Sequence, residues 1–317
     1  LFNNYSGSID LDGYRDHDLK RAGGIMNVGI YDVDSKIPNL ALMKISKYHK
    51  HRGDAVEMYR PLWIESYDKI YASKIFNFSN GSNLIPERME IGGTGWDQNI
   101  NLPKEIENCE PDYDLYKYPH SIGFTMRGCR FNCSFCVVPE KEGKPKPYKT
   151  IQEIWTNRSS NFIVLLDNDF FGNPYWKDRI VEIHALDLQV NFSQGINIRI
   201  LTDEQAEALA SVKFRTLSGK SKRVHFAWDR IKDEKLIDHG IQKCFNAGIK
   251  PDQMSFYILI GYDTSPDDDY YRVMKIRNYG CNPYVMPYNK QDLYQKKFAR
   301  WVNHKAIFKS VEWGNYE

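Results

Sequence analysis

Cysteine is scarce in this chain, six in 317 residues, and no apolar signal-peptide core precedes them, so a disulfide scaffold of the secreted kind does not fit. Long hydrophobic runs are missing as well, and nothing is apolar enough over sufficient length to span a membrane. Charge imbalance is nearly absent: 43 Lys and Arg stand against 41 Asp and Glu, and the resulting +2 gives no global pull toward nucleic acid. RNA or DNA as a partner is not indicated. What remains is an ordinary globular composition with room for one large domain and a smaller one, expected in the cytoplasm. Aromatics are plentiful, with 21 tyrosines scattered through the expected strands and helices, mostly as packing residues with a minority lining a pocket.

Residues 1–25 are polar, carry Gly-Ser and Asp-Gly turn pairs and show no period; they read as a flexible leader, with Met26 a natural start. From 26 to 101 the pattern is that of a small α/β domain. Strands are expected at 26–31, 55–59, 69–73 and 89–91, and a helix at 39–51 carries Leu40, Leu42, Met43, Ile45 and Tyr48 at helical spacing. Gly92-Gly93-Thr94-Gly95 after the last strand is either a place where backbone approaches a ligand or a tight structural turn. A linker rich in Pro and Asp follows at 102–118.

Between 119 and 289 six strand-like runs alternate with helical segments: 121–126, 162–166, 190–194, 224–228, 255–260 and 284–286. Thr150-x-x-Glu153 and Thr202-x-x-Gln205 are capping boxes that start helices. A further helix at 233–246 is expected to carry Leu236, Ile237, Ile241 and Phe245 on one stripe. Six β/α units in succession imply parallel strands and right-handed crossovers, hence a partial (β/α)6 TIM-like barrel. The fold class is α/β, with a small Rossmann-like, flavodoxin-like domain before the barrel and a C-terminal extension at 290–317.

The chemistry concentrates in Gly128-Cys-Arg-Phe-Asn-Cys-Ser-Phe-Cys136, where Cys129, Cys133 and Cys136 supply three thiolates and no fourth. A structural zinc site closes its tetrahedron with four protein ligands, whereas a cluster held by three thiolates leaves one metal open. The alternative is a partial zinc knuckle completed by His120 or Cys109, which would make the chain a non-catalytic, zinc-stabilised binding module. With the strand-like 121–126 before it and Val137-Val138-Pro139 after it, the triplet resembles the signature of the radical S-adenosylmethionine enzymes. The resemblance covers roughly Pro119 to Asn289, and the count of six units matches that family's partial barrel.

The resemblance implies a four-iron four-sulfur cluster on Cys129, Cys133 and Cys136, with the amino and carboxylate groups of S-adenosylmethionine on the fourth iron. It implies reductive cleavage of that cofactor to a 5'-deoxyadenosyl radical, and a flavodoxin- or ferredoxin-type electron donor. By the same resemblance Phe135 lies near the adenine, and Asp167 and Asp169 follow the second strand, where the methionine amino group is held. Gln194 and Arg199 end the third unit, with Arg199 placed for a forked hydrogen bond to the cofactor carboxylate. Asp229 is offered to ribose hydroxyls, and Gly261 stands in the glycine turn beside the adenine, although Thr264 occupies the place of an expected Glu. Pro287-Tyr288-Asn289 is expected to face substrate.

The 26–101 domain resembles the cobalamin-binding domain that precedes many such enzymes, with Ser73, Gly92 and Gly93 as candidate contacts. Its Asp-x-His-x-x-Gly motif is absent: after Asp32, Asp34 takes the His place and Ile37 the Gly place, so no imidazole serves as lower ligand. Cobalamin binding without a protein ligand and a relic domain both stay open. A second, auxiliary cluster does not fit, because only Cys109 lies upstream and Cys244 and Cys281 read as packing thiols. The reaction is a methyl transfer or a hydrogen-abstraction-driven rearrangement, and the substrate is undetermined.

Overall fold

The computed structural model describes residues 24–316, and the expected leader falls outside the described residues except for its last two positions. The chain is mixed α/β with parallel sheets, and its contacts divide it into a first unit ending at Lys117 and a second beginning at Tyr118. No helix among the described residues is long and apolar enough to cross a membrane.

In the first unit, β1 (Asn27–Asp32), β2 (Ala55–Met58), β3 (Lys69–Ser73) and β4 (Glu90–Gly92) pair in parallel in the order β2-β1-β3-β4. Helix α1 (Leu40–His51) makes the first crossover. Its start is fixed by Asn39, whose side-chain oxygen accepts the amides of Ala41 and Leu42, and its apolar face buries Leu42, Met43 and Ile45. The next two connections carry no α-helix; one is the 3-10 turn Pro61–Ser66. A short helix, α2 (Lys104–Glu107), follows β4 and meets α1 through the Lys44–Glu107 ion pair at 2.9 Å.

The second unit opens with β5 (Ser121–Gly123). The single strand expected at 121–126 is instead broken: β6 (Met126–Arg127) leaves the line of β5 and pairs antiparallel with β7 (Lys146–Pro147), with α3 (Val138–Lys141) between them. Then come α4 (Ile151–Ile154), β8 (Phe162–Leu165), α5 (Trp176–Ala185), β9 (Gln189–Phe192), α6 (Asp203–Ser211) and β10 (Lys213–Phe214). Both capping boxes form as the sequence indicated, Thr150 with Glu153 and Thr202 with Gln205. Strand β10 is not among the six expected runs; two residues are too few to show a period. The four parallel strands run in the order β10-β9-β8-β5.

A second parallel sheet follows, β11 (Val224–Ala227), β12 (Met254–Ile260) and β13 (Asn282–Pro287), with α7 (Glu234–Asn246) and α8 (Pro266–Asn278) as crossovers. A parallel bridge between Ile196 and Phe226 joins the two sheets. Helices α9 (Leu293–Asn303) and α10 (Lys305–Ser310) close the chain, so the expected extension is helical and packs Phe298, Trp301 and Phe308 into the main core. On α7 the buried stripe is Ile237, Gly240, Ile241 and Cys244, whereas Leu236 is exposed. The stripe turns because Gly240 packs against the Ile198 backbone, where any side chain would collide.

The ends of β11 and β12 are held from behind by one buried ion pair. Arg272 on α8, 0% exposed, donates to the carbonyls of Trp228 and Leu259 at 2.8 Å each and to Asp269 at 2.7 Å. Asp269 also accepts the Thr264 and Tyr294 hydroxyls. Where strands end, buried carbonyls need donors, and Arg272 supplies them. Replacing Arg272 by Met orphans both carbonyls and leaves Asp269 without its cation; the expected loss is about 3–5 kcal/mol. Denaturant unfolding of the second unit checks this. The Arg272→Met, Asp269→Leu double variant is expected to recover part of the loss, because it removes the stranded charge.

Candidate metal and cofactor site

The cysteine loop is built by carboxylates at the end of the neighbouring strand. Asp167, the second residue past β8, accepts the amides of Thr125 at 3.0 Å and Met126 at 2.6 Å and the Thr125 hydroxyl at 2.7 Å. Those donors are freed where β5 breaks into β6, so the break and Asp167 explain each other. Burial pushes the Asp167 carboxyl up to about 6, against the pull of these hydrogen bonds. Asp169 accepts a forked pair from Arg130, Nε at 2.6 Å and a terminal nitrogen at 2.8 Å, and so grips the loop beside Cys129.

The loop then closes on itself. Cys129 N–H donates to Gly143 O at 3.1 Å, Gly128 N–H to Glu142 at 2.8 Å, and Arg127 pairs with Glu142 at 2.9 Å. Gly128 has φ +82, and a Cβ there would overlap the Lys144 carbonyl, so the turn needs glycine. The far side of the loop meets the β12 turn. The Tyr262 hydroxyl donates to Ser134 Oγ at 2.7 Å, and the Phe135 and Tyr262 rings meet edge-on at 5.4 Å.

All three thiols are partly exposed and free. Burial raises the pKa of Cys129 and of Cys136, and neighbouring negative charge adds to it: Asp169, Cys133 and Cys136 for Cys129; Cys133, Asp229 and Glu142 for Cys136. The thiols therefore sense one another. Among the described residues no three His, Cys, Asp or Glu side chains are gathered around a point for one metal ion. Three thiolates on one loop, each able to bind a different metal of a wider group, would supply three of the four ligands that a four-iron cluster takes. Loading it releases the thiol protons. Of the two residues considered for closing a zinc tetrahedron, His120 is turned away from the loop: it stands at the amino end of β5, bonded to Ser160 at 2.9 Å, with the strand between it and the loop. Cys109 lies in the first unit, where its thiol donates to Glu105 O.

The other expected contacts sit at carboxyl ends of strands but differ in what they are free to do. Asp167 and Asp169 are engaged with the cysteine loop itself. Arg199 pairs with Asp233 at 2.9 Å and lies over the Phe131 ring at 4.9 Å. Asp233 also takes a forked pair from Arg230 at 3.0 and 3.1 Å, which sets two cations on one carboxylate. Arg130 and Tyr262 leave no local pattern in the sequence because their partners are 39 and 128 residues away, and Asp233 stands out only through its distant pairing with Arg199. Asp229 keeps its carboxyl raised by burial, opposed by Arg199 and Arg272. Gln194 is exposed. Gly261 has φ +72, and a Cβ there would strike Gln295, so its conformation is explained by α9 packing.

In the first unit, Asp34 is committed to the amides of Ile75 at 2.8 Å and Phe76 at 2.9 Å, which hold its carboxyl below the ordinary value although burial opposes them. Ser73 is buried and accepts from Asn39 at 2.9 Å. Gly93, with φ +97, lies against the Lys74 backbone, so the close approach at this turn is to the chain's own β3 loop. A larger residue at Gly93 would therefore break the turn.

Two outcomes are expected. Asp167→Asn keeps an oxygen for the Thr125 and Met126 donors but sets its NH2 against the second, 3.2 Å contact from the Thr125 amide; a stability loss of about 1–2 kcal/mol should appear in thermal unfolding, together with a lowered metal content of the cysteine loop. Gly93→Ala should lower the melting temperature of the first unit while Gly92→Ala, whose Cβ meets only Ile100 at 3.7 Å, leaves it unchanged.

No family model matches the chain, and no curated protein matches it. Among solved structures it is similar to one described as the cobalamin-dependent S-adenosylmethionine radical enzyme OxsB with aqua-cobalamin bound. The identity is 13% and the TM-score 0.38, over 90% of this chain and 56% of that one. The chain thus spans little more than half the length of that structure.

Proposed function

We propose that the chain is a radical S-adenosylmethionine enzyme, with its second unit a partial (β/α)6 barrel and its cluster on Cys129, Cys133 and Cys136. The observation that carries the reading is the cysteine loop itself. It holds three thiols and is clamped by Asp167 and Asp169 at the carboxyl end of a parallel sheet, the end where α/β enzymes keep their reactive groups. The single bridge from Ile196, past the end of β9, to Phe226 on β11 is consistent with a barrel. When bound, the reduced cluster supplies the electron that breaks the carbon–sulfur bond of S-adenosylmethionine.

The protein's part is orientation and shielding. Arg199 and Arg230, braced by Asp233, present cationic nitrogens at the ends of β9 and β11, suited to the cofactor carboxylate. Asp229, beside them and within electrostatic reach of Cys136, suits the ribose hydroxyls. Phe135, with Tyr262 against it, walls the adenine side near the Gly261 turn, and exposed Gln194 is left free to bond the cofactor. A flavodoxin- or ferredoxin-type donor in the cytoplasm would supply the electron. The first unit is read as a cobalamin-domain-like module of flavodoxin-like order. Asp34 is committed to backbone amides there, so a cobalamin would receive no axial ligand from that motif.

Anaerobic reconstitution tests the reading: about four iron and four sulfide per chain are expected, lost when Cys129, Cys133 and Cys136 are all replaced by Ala. Dithionite and S-adenosylmethionine should then yield 5'-deoxyadenosine from the parent and none from the triple variant. Stoichiometric zinc without iron, or a full cluster in the triple variant, would overturn it.

A further inference from the structure

Parallel sheets are ordinarily covered on both faces. In the β11–β12–β13 sheet one face is: Phe226, Phe256, Ile258, Ile260 and Val285 lie in the main core. Alternation puts His225, Tyr257, Tyr284 and Met286 on the other face. There Tyr284 and Met286 are 46% and 44% exposed. The rings on this face are ordered. His225 and Tyr257 lie stacked, centroids 4.9 Å apart and planes 7° apart, and Tyr284 meets Tyr257 edge-on at 5.8 Å. Burial, and after it Arg223, push the His225 pKa down to about 4, so the imidazole is neutral at pH 7.

Polar groups around this shelf are left open. Arg223, two residues before His225, has a buried Nε with no hydrogen-bond partner and makes no ion pair among the described residues. Lys305 lies within its electrostatic reach; burial, Arg223 and Lys309 all push the Lys305 ammonium down, and no carboxylate offsets them. An unpaired buried guanidinium nitrogen is costly unless something accepts from it.

The shelf also continues toward the cysteine loop. Tyr288 extends the same face and meets Tyr262 at 4.9 Å, and Tyr262 meets Phe135 at 5.4 Å. Tyr257 and Gly261 are four residues apart on one line, on the order of 13 Å at the rise of a strand.

We propose that the partly open face of the β11–β12–β13 sheet is the substrate surface, and that it takes a planar aromatic or heteroaromatic acid. The ring lies against Tyr257 and Tyr284 beside His225, and the carboxylate or phosphate reaches Arg223. Calling the ligand a substrate rests on the radical reading above; its binding does not.

The test is equilibrium binding of naphthyl phosphate, naphthoate and neutral naphthol to the full chain, followed by calorimetry. At least one acid should bind the parent tenfold or more tightly than naphthol, and which of the two does so separates a phosphate from a carboxylate. Arg223→Gln should remove that preference while naphthol binding is kept, and Arg223→Lys should restore part of it. Tyr284→Ala, at an exposed position, should weaken all ligands about tenfold, as expected for loss of one stacking ring. Circular dichroism of each variant verifies the fold. No binding by the parent, equal binding of acids and naphthol, or an unchanged preference in folded Arg223→Gln would each overturn the proposal. The triple cysteine variant separates the two readings: it is expected to bind the acid as the parent does, even if no 5'-deoxyadenosine is ever formed.

Discussion

Everything at the candidate site depends on how two carboxylates at the end of β8 hold a loop that belongs to another strand. A parallel strand that simply ran on from β5 would carry its side chains away along the sheet. Asp167 stops it by taking the amides of Thr125 and Met126, and the chain turns into the β6–β7 clasp. Asp169 then fixes Arg130, so the residue next to the first thiol is tied to the scaffold by a forked, charge-assisted pair. Three thiols on eight residues would otherwise sit on a loose excursion between β5 and α4. Here they are presented from a base that is hydrogen-bonded at both ends.

The same device recurs at the other strand ends. Asp233 braces Arg199 and Arg230, and Asp269 neutralises Arg272 while Arg272 satisfies the carbonyls of Trp228, just past β11, and Leu259, near the end of β12. Buried ion pairs of this kind contribute little net stability, since desolvation offsets attraction, but breaking one is expensive. Their effect here is positional. Each fixes the backbone or the cation at a point where a strand has ended and ladder hydrogen bonds no longer do so.

Much of the fold was legible in the sequence because its signals are local. Short strand-like runs marked β8, β9, β11, β12 and β13, and the Thr150 and Thr202 capping boxes marked helix starts. What was not legible was set by distant partners. The break after Gly123 follows from Asp167, 42 residues from Thr125 in sequence, and the stripe on α7 shifts because Gly240 meets Ile198. Of the site, the cysteine triplet was readable from spacing alone. The roles of Asp167, Asp169, Gly93 and Gly261 were not, because a polar residue or a glycine at a strand end looks the same whether it waits for a ligand or packs against its own chain.

The central claim is that three thiolates hold a cluster and leave one iron open to an exogenous amino acid group. Electron paramagnetic resonance of the anaerobically reduced protein, recorded before and after adding S-adenosylmethionine, tests it most directly. The account predicts a four-iron cluster signal whose shape changes when the cofactor is added, because the open iron gains its ligand. A cluster signal that stays the same at saturating cofactor, or no iron signal at all from reconstituted protein, would contradict it.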